Sequence, residues 1–140
     1  LKVGRKNIKN KEINIKKMIN KKKNILLKVD IEGSEYEILK DIKFYSKRIN
    51  CLIIEFHDIK KNLKKIYNFI NNIKYLKSIH IHCNNINKLD KNGYPYAIEI
   101  TFINVKRIKY EKKSNYKNYP IAELDFPSVK RNDDISINFI

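Results

Sequence analysis

The stretch from Leu26 to Leu39, LLKVDIEGSEYEIL, constrains the fold more than any other part of this 140-residue chain. It opens as a continuous apolar run, which is typical of a strand buried on both faces. Two acids, Asp30 and Glu32, and then a glycine end this run, and Ser34 with Glu37 follows in the spacing of a helix capping box. The stretch therefore predicts a buried strand that delivers carboxylates to its C-terminal end and turns at once into a helix.

Hydrophobic periodicity predicts one α/β domain. Strands are expected at residues 25–31, 51–56, 77–83 and 96–105, and helices at 34–45 and 60–74. The two βα units favour parallel strands with helices packed on the sheet. Only a polar loop with an Asn92-Gly93 turn separates the last two strands, which predicts an antiparallel pair. We expect a leading helical segment at 1–24, a core at 25–105 and an irregular segment at 106–140.

The helix predicted after the second strand has an apolar stripe at helical spacing. Its members are Leu63, Ile66, Tyr67, Ile70 and Ile73, and Asp58 stands where a helix cap is expected.

Composition excludes several classes of function. The net charge is +16, but the basic residues are spread along the chain without a recognition motif, which favours a solvated Lys-rich surface over specific nucleic-acid binding. No apolar run is long enough to span a membrane and no secretory signal opens the chain. Cys51 and Cys83 lack metal-binding spacing and lie in apolar runs, so we expect buried thiols in a reducing, cytoplasmic setting.

Acidic and imidazole groups end two of the predicted strands. Asp30 and Glu32 follow the first strand, and Glu55 and His57 end the second. Parallel strands of adjacent βα units present their carboxyl ends at one edge, where α/β proteins bind ligands. The groups could act as general bases or bind a hard cation. The alternatives stay open: one acid caps the helix and pairs with a lysine, and His57 is a surface loop residue.

The later strands carry weaker candidates. His80 and His82 could form a metal pair, although partnered, half-exposed strand histidines are the simpler interpretation. Asn84 and Asn85 are expected only to shape a turn. Glu99 could reach the same sheet edge if the strand register permits.

Residues Lys28 to Leu39, KVDIEGSEYEIL, resemble the K-[IV]-D-[IV]-E-G-x-E signature of the FkbM-type S-adenosylmethionine-dependent methyltransferases. LIIEFH at 52–57 is similar to the next strand of these proteins, and IHIHCNN at 79–85, YPYAIEITFI at 94–103 and LDFP at 124–127 resemble segments of a subgroup. The resemblance implies the C-terminal part of a class I, Rossmann-like methyltransferase sheet, with parallel strands and a final antiparallel strand.

The same resemblance implies methyl transfer from S-adenosylmethionine to a hydroxyl of a sugar or related acceptor, either a small molecule or a glycan. Asp30 and Glu32 would lie beside the transferred methyl, where an acid deprotonates the acceptor or holds a divalent metal ion. Glu55 and His57 would line the acceptor side. The resemblance does not say which of these groups is the base.

The glycine-rich loop of such a cofactor site is not in this sequence, which has three glycines and no G-x-G-x-x-G. We therefore expect a domain that is incomplete at its N-terminus and that by itself binds S-adenosylmethionine weakly or not at all. Two other classes stay open. One is a metal-dependent hydrolase with D-x-E, E-x-H and H-x-H ligands, and the other is a basic module that binds anionic polymers.

Overall fold

The computed structural model describes residues 15–108 and 118–138. The start of the predicted leading segment, 1–14, and part of the C-terminal segment, 109–117, lie outside the described residues. The described helices and strands are α1 (Ile15–Ile19), β1 (Ile25–Val29), α2 (Glu35–Tyr45), β2 (Ile49–His57), α3 (Ile59–Asn72), β3 (Leu76–Cys83), β4 (Ala97–Asn104), β5 (Asn118–Tyr119) and β6 (Ile137–Asn138). None of these helices is long and apolar enough to cross a membrane.

The main sheet is mixed, with strand order β1-β2-β4-β3. β1 and β2 are parallel, and Val29 lies opposite Ile54. β4 is inserted between β2 and β3 and runs antiparallel to both. The predicted α/β sheet of parallel strands with a final antiparallel strand is confirmed, and the polar loop before β4 turns at Gly93 as the sequence indicates.

The first strand differs from its prediction. It ends at Val29, two residues early, and it is not buried on both faces. Leu27 and Val29 face the core, whereas Leu26 is 68% exposed and Lys28 is also exposed. The prediction failed because the face of β1 that carries Leu26 and Lys28 lies open in the described part of the chain.

The core lies between the sheet and the two long helices. Leu52, Ile54 and Phe56 of β2 and Phe102 of β4 are fully buried on this side. Phe69 of α3 joins them, with its ring centroid 6.1 Å from that of Phe56 and 5.8 Å from that of Phe102.

The predicted apolar stripe of α3 is confirmed in part: Ile66 and Ile73 are buried and Ile70 is partly buried against the core. Leu63 and Tyr67 are exposed, while Ile66, Phe69 and the following Ile73 are buried. Phe69, which the predicted stripe left out, joins the buried side through its contacts with Phe56 and Phe102, and the edge with Leu63 and Tyr67 faces solvent.

The C-terminal segment contacts β3, where His80 and His82 bond to Asp125 and Asp134. It contains a two-stranded antiparallel ladder, β5 with β6. Its main anchor is Asn85, whose buried side chain donates to the carbonyl oxygens of Val129, Asn132 and Asp133. The Asn85 side-chain oxygen accepts from the Val129 N–H at 2.8 Å. The expectation that Asn84 and Asn85 only shape a turn was therefore wrong, because Asn85 binds residues more than forty positions away.

Candidate active site

Three titratable groups converge where β1 and β2 end. Asp30 directly follows β1, and Glu55 and His57 are the last alternate residues of β2. One oxygen or nitrogen atom from each of the three lies within 4.8 Å of the others. Asp30 and Glu55 are half-buried and His57 is buried. The parallel pairing of β1 with β2 produces this meeting, because it aligns the carboxyl ends of the two strands.

A fourth residue, Glu35, bonds to His57 from the buried side of the site. Its side chain is fully buried. Its Oε1 accepts from the backbone N–H of His57 at 2.7 Å and lies 3.1 Å from His57 Nδ1, while its Oε2 accepts from the Gly33 N–H at 2.9 Å. Sequence reasoning missed this residue, although it is the last acid of the G-x-E at the end of the KVDIEGSE motif.

The ionisation of this pair follows from its hydrogen bonds. Burial by itself raises the pKa of Glu35, but the hydrogen bonds from His57 outweigh it and bring that pKa below its ordinary value. The same side-chain hydrogen bond raises the pKa of His57 against the opposing effect of burial, with help from the charges of Glu35, Glu55 and Glu32. An ionised Glu35 accepts hydrogen bonds only, so Nδ1 of His57 carries a proton and Nε2 is the atom left for chemistry.

The pKa of Glu55 is shifted in the opposite direction from the pKa of Glu35. Burial raises its pKa, and the neighbouring carboxylate of Asp30 raises it further. The side-chain amide of Asn84 donates to Glu55 at 2.7 Å, which limits this rise. Asp30 therefore lies close enough to Glu55 for its charge to disfavour ionisation of the Glu55 carboxyl.

Glu32 stands at the mouth of the site. Its carboxylate is exposed and its Oε2 lies 3.8 Å from Nε2 of His57. Its backbone is in the left-handed region, with φ of +53°, and Gly33 follows at +97°. Asp58, directly after His57, has φ of +51°. Left-handed backbone at a residue other than glycine costs about 1–3 kcal/mol and persists only where the surroundings enforce it.

Neither predicted helix cap forms through its side chain. Ser34 and Asp58 precede α2 and α3, but their side chains make no capping hydrogen bond. At α2 the Glu35 carboxylate accepts the Gly33 N–H instead. The capping-box interpretation of Ser34 and Glu37 was wrong, because Ser34 makes no side-chain cap and the acid that accepts a backbone N–H of this turn is Glu35.

The two strand histidines are partnered elsewhere. His80 Nε2 lies 2.7 Å from Asp125 and His82 Nε2 lies 3.1 Å from Asp134, so both bind the C-terminal segment. Among the described residues, the group that could hold a metal ion contains Asp30, Glu55 and His57 but neither of these histidines. The hydrolase alternative thus lacks the H-x-H ligands on which it depended.

Glu99 does not join the cluster of Asp30, Glu55 and His57. It lies opposite Glu55 in the β2–β4 register, but its carboxylate pairs with Lys28 at 2.9 Å. Every described lysine is exposed, and lysines occur on α1, α2 and α3 alike, so no single helix accounts for the basic charge.

Comparison with known proteins identifies the family of this chain. The family model described as the methyltransferase FkbM domain matches residues 3–96. A search of curated proteins and a search of solved structures each found no match. The matched range contains all four sequence-predicted site residues and the buried Glu35 that holds His57. The chain therefore belongs to the FkbM methyltransferase family.

Proposed function

We propose that the chain carries the acceptor side of an S-adenosylmethionine-dependent O-methyltransferase and that His57 is its general base. The buried hydrogen bonds between Glu35 and His57 carry this proposal. A carboxylate that fixes one imidazole nitrogen leaves the other to exchange protons in a defined direction. The acceptor is a hydroxyl of a sugar or related compound, either free or within a glycan.

The proton moves from the acceptor hydroxyl to Nε2 of His57. Glu35 keeps the proton on Nδ1, so Nε2 presents its lone pair toward Glu32 and the opening of the site. The raised pKa makes this nitrogen a stronger proton acceptor than an unpaired imidazole. Glu32, which is exposed beside Nε2, is the group that the acceptor hydroxyl displaces on entry.

Asp30 and Glu55 support the charge that appears on His57. When Nε2 accepts a proton the imidazole becomes a cation, and negative charge close to it stabilises that cation. Both side chains offer an oxygen within 4.8 Å of a ring nitrogen. Their position at the end of the sheet also keeps them near the acceptor, which enters where parallel strands end.

The methyl donor that the family implies, S-adenosylmethionine, supplies an electrophilic methyl group on a positively charged sulfur. The carboxylates of Asp30 and Glu55 at this edge of the sheet suit a neighbouring positive charge of this kind. Gly33 is the glycine nearest the site, and a Cβ added there would meet no protein atom within 4 Å.

The test is methyl transfer from labelled S-adenosylmethionine to a panel of methyl pyranosides, measured for the protein and its variants. We expect His57→Gln to lower the rate by about 10²-fold or more. Glu35→Gln should lower it less and should also shift the pH profile, because it acts through His57. Glu37→Gln, on the exposed face of α2, is the matched control and should leave the rate unchanged. A His57→Gln variant with the wild-type rate would overturn the proposal.

A divalent cation is a second candidate for activating the acceptor at this edge. The observation that favours it is the convergence of two carboxylates and an imidazole within 4.8 Å. A bound cation would acidify the acceptor hydroxyl directly and would occupy the nitrogen that otherwise takes the proton. Titration with Mn²⁺ tests this candidate: saturable one-to-one binding that Asp30→Asn abolishes supports it, and the absence of saturable binding refutes it.

The free thiols agree with the expected location. Cys51 and Cys83 form no disulfide, and burial raises the pKa of the Cys83 thiol to about 11, which keeps it protonated and unreactive. We propose a reducing, cytoplasmic setting on this ground.

A further inference from the structure

A mainly apolar cavity of about 330 Å³ lies between the start of α3 and the loop before β4. Its apolar lining comes from Ile59, Tyr94, Pro95 and Tyr96. None of the described groups assigned to the proposed reaction lines it, so it is distinct from the cluster at the strand ends. Ligand cavities of proteins have volumes of about 300–1,000 Å³, so this one has room for a single ring or a short alkyl chain.

Tyr96 connects this cavity with the proposed base. Its ring lies edge-on to the His57 imidazole, with 5.9 Å between the ring centroids and 70° between the ring planes. Tyr96 directly precedes Ala97, which lies opposite His57 in the β2–β4 register, and 44% of Tyr96 remains exposed. A ligand group that packs against Tyr96 inside the cavity is therefore one side chain away from His57, and the rest of the same molecule can reach the proposed base.

The loop wall of the cavity is held in place by its own hydrogen bonds. The Asp90 carboxylate accepts the backbone N–H groups of Asn92 and Tyr94, and the backbone N–H of Asp90 donates to the Tyr94 carbonyl at 2.9 Å. Lys60, at the start of α3, bonds to the same carboxylate at 3.0 Å. These bonds join the loop to the helix, so a ligand needs to order little of the wall when it binds.

The charges around the cavity are of both signs. They belong to two aspartates and three exposed lysines, namely Asp58, Lys60, Lys61, Lys88 and Asp90. Lys60 is paired with Asp90, and salt screens the exposed charges. Burial of apolar surface, which favours binding wherever water is displaced, is therefore the main source of selectivity that this cavity offers.

We infer that this cavity is a specificity subsite for an apolar group of the acceptor, an aromatic ring or a short alkyl chain attached to the part that carries the methylated hydroxyl. The inference rests on the proposed function and deepens it: the hydroxyl-bearing part lies at His57, and the apolar group packs against Tyr96. An acceptor that lacks the apolar group leaves the cavity unfilled and binds more weakly.

Methyl and phenyl β-glycosides of the same sugar are suitable probes, because they differ only in the group that would enter the cavity. Ligand-detected NMR gives their dissociation constants for glucose, galactose and mannose. For at least one sugar, the phenyl glycoside should bind the wild type about tenfold more tightly than the methyl glycoside, the gain expected from one aromatic contact.

Variants of Tyr96 locate this preference. Tyr96→Ala should remove it, whereas Tyr96→Phe, which keeps the ring, should retain it. Tyr67→Ala is the matched control: Tyr67 is an exposed tyrosine of α3 that does not line the cavity, and its variant should bind like the wild type. The preference is a ratio of two dissociation constants within one protein, so partial unfolding of a variant does not imitate its loss.

Two outcomes overturn the inference: the phenyl glycoside binds no more tightly than the methyl glycoside for any sugar, or Tyr96→Ala keeps the phenyl preference. Failure of the proposed function gives a different result. A phenyl preference that depends on Tyr96, without methyl transfer to any glycoside, would refute the proposed function and leave the subsite standing. Methyl transfer with the same KM for both glycosides would refute the subsite and leave the proposed function standing.

Discussion

Glu35 and His57 are 22 residues apart in sequence, yet a single oxygen, Glu35 Oε1, serves both the backbone N–H and the Nδ1 of His57. The pair joins the first turn of α2 to the last residue of β2. It thus fixes the helix against the sheet at the point where Asp30, Glu55 and His57 meet. The contribution of this carboxylate to stability and its proposed effect on methyl transfer can be measured separately.

Replacing Glu35 by alanine should destabilise the fold. The change leaves the N–H groups of Gly33 and His57 without their acceptor and removes the partner of a buried imidazole. Breaking one side of a buried pair costs about 3–5 kcal/mol. Urea unfolding measures the loss. Glu37→Ala, two residues on and exposed, should change the free energy of unfolding by less than about 0.5 kcal/mol; equal losses in the two variants would contradict the role given to Glu35.

The same pair should make stability depend on pH. The pKa of His57 is raised from 6.5, so its contribution is complete below pH 6.5 and is lost as the pH rises through the higher folded value. The pKa of Glu35 is lowered from 4.5, so its contribution is complete above pH 4.5 and is lost as the pH falls through the lower folded value. The pair should therefore stabilise the fold most between pH 4.5 and 6.5.

Urea unfolding at pH 5.5 and pH 8 tests this dependence, with His57→Gln as the reference. The wild type should lose more stability than the variant between the two pH values, because only the wild type carries the titrating imidazole. A pH dependence that is the same in both proteins would show that the Glu35–His57 pair is not its source.

Local patterns were sufficient to predict the four strands of the main sheet, the two long helices and the edge at which Asp30, Glu55 and His57 meet, although not the end or the open face of β1. The reason is that period-two and helical spacing report burial within one element, and parallel βα units then place strand ends together. The burial of Glu35 could not be read in this way. The S-x-x-E spacing drew attention to Glu37, while the partner that buries Glu35 lies on another strand.

The open face of β1 and the anchoring of the C-terminal segment were also beyond local reasoning. Leu26 looks like a core residue in its own strand, and only the absence of a covering element in the described chain leaves it exposed. Asn85 looks like a turn residue, and its partners lie 44 to 48 residues later. Both features depend on tertiary contacts that no short window contains.

Asp30→Asn should lower the pKa of Glu55. Burial is the main cause of the raised pKa and persists in the variant, but the charge of Asp30 adds to it and would be removed. Carbon-13 NMR of the Glu55 carboxyl during a pH titration measures the change. Asp41→Asn, on the exposed side of α2, is the control and should leave the Glu55 titration unaltered. An unchanged pKa in Asp30→Asn would mean that the two carboxylates do not face each other in solution.

Asn85→Ala should loosen the C-terminal segment while leaving the main sheet folded. The variant removes the amide that donates to three carbonyl groups and the oxygen that accepts the Val129 N–H. Hydrogen exchange should become faster at residues 129–133 and remain slow in β2 and β4. Asn87→Ala, in the same loop but exposed, should leave both regions unchanged. Uniform acceleration across the sheet would instead indicate global destabilisation.

Two substitutions at Glu32, whose backbone is left-handed, should distinguish the effect of backbone strain from the effect of the lost carboxylate. Glu32→Gly and Glu32→Ala both remove the carboxylate beside His57 Nε2, but only glycine adopts a φ of +53° without a steric penalty. We expect the glycine variant to be more stable than the alanine variant by about 1 kcal/mol in urea unfolding. Both should show the same change in acceptor methylation, since both lose the same charge at the mouth of the site. A glycine variant no more stable than the alanine variant would show that this turn relaxes in solution.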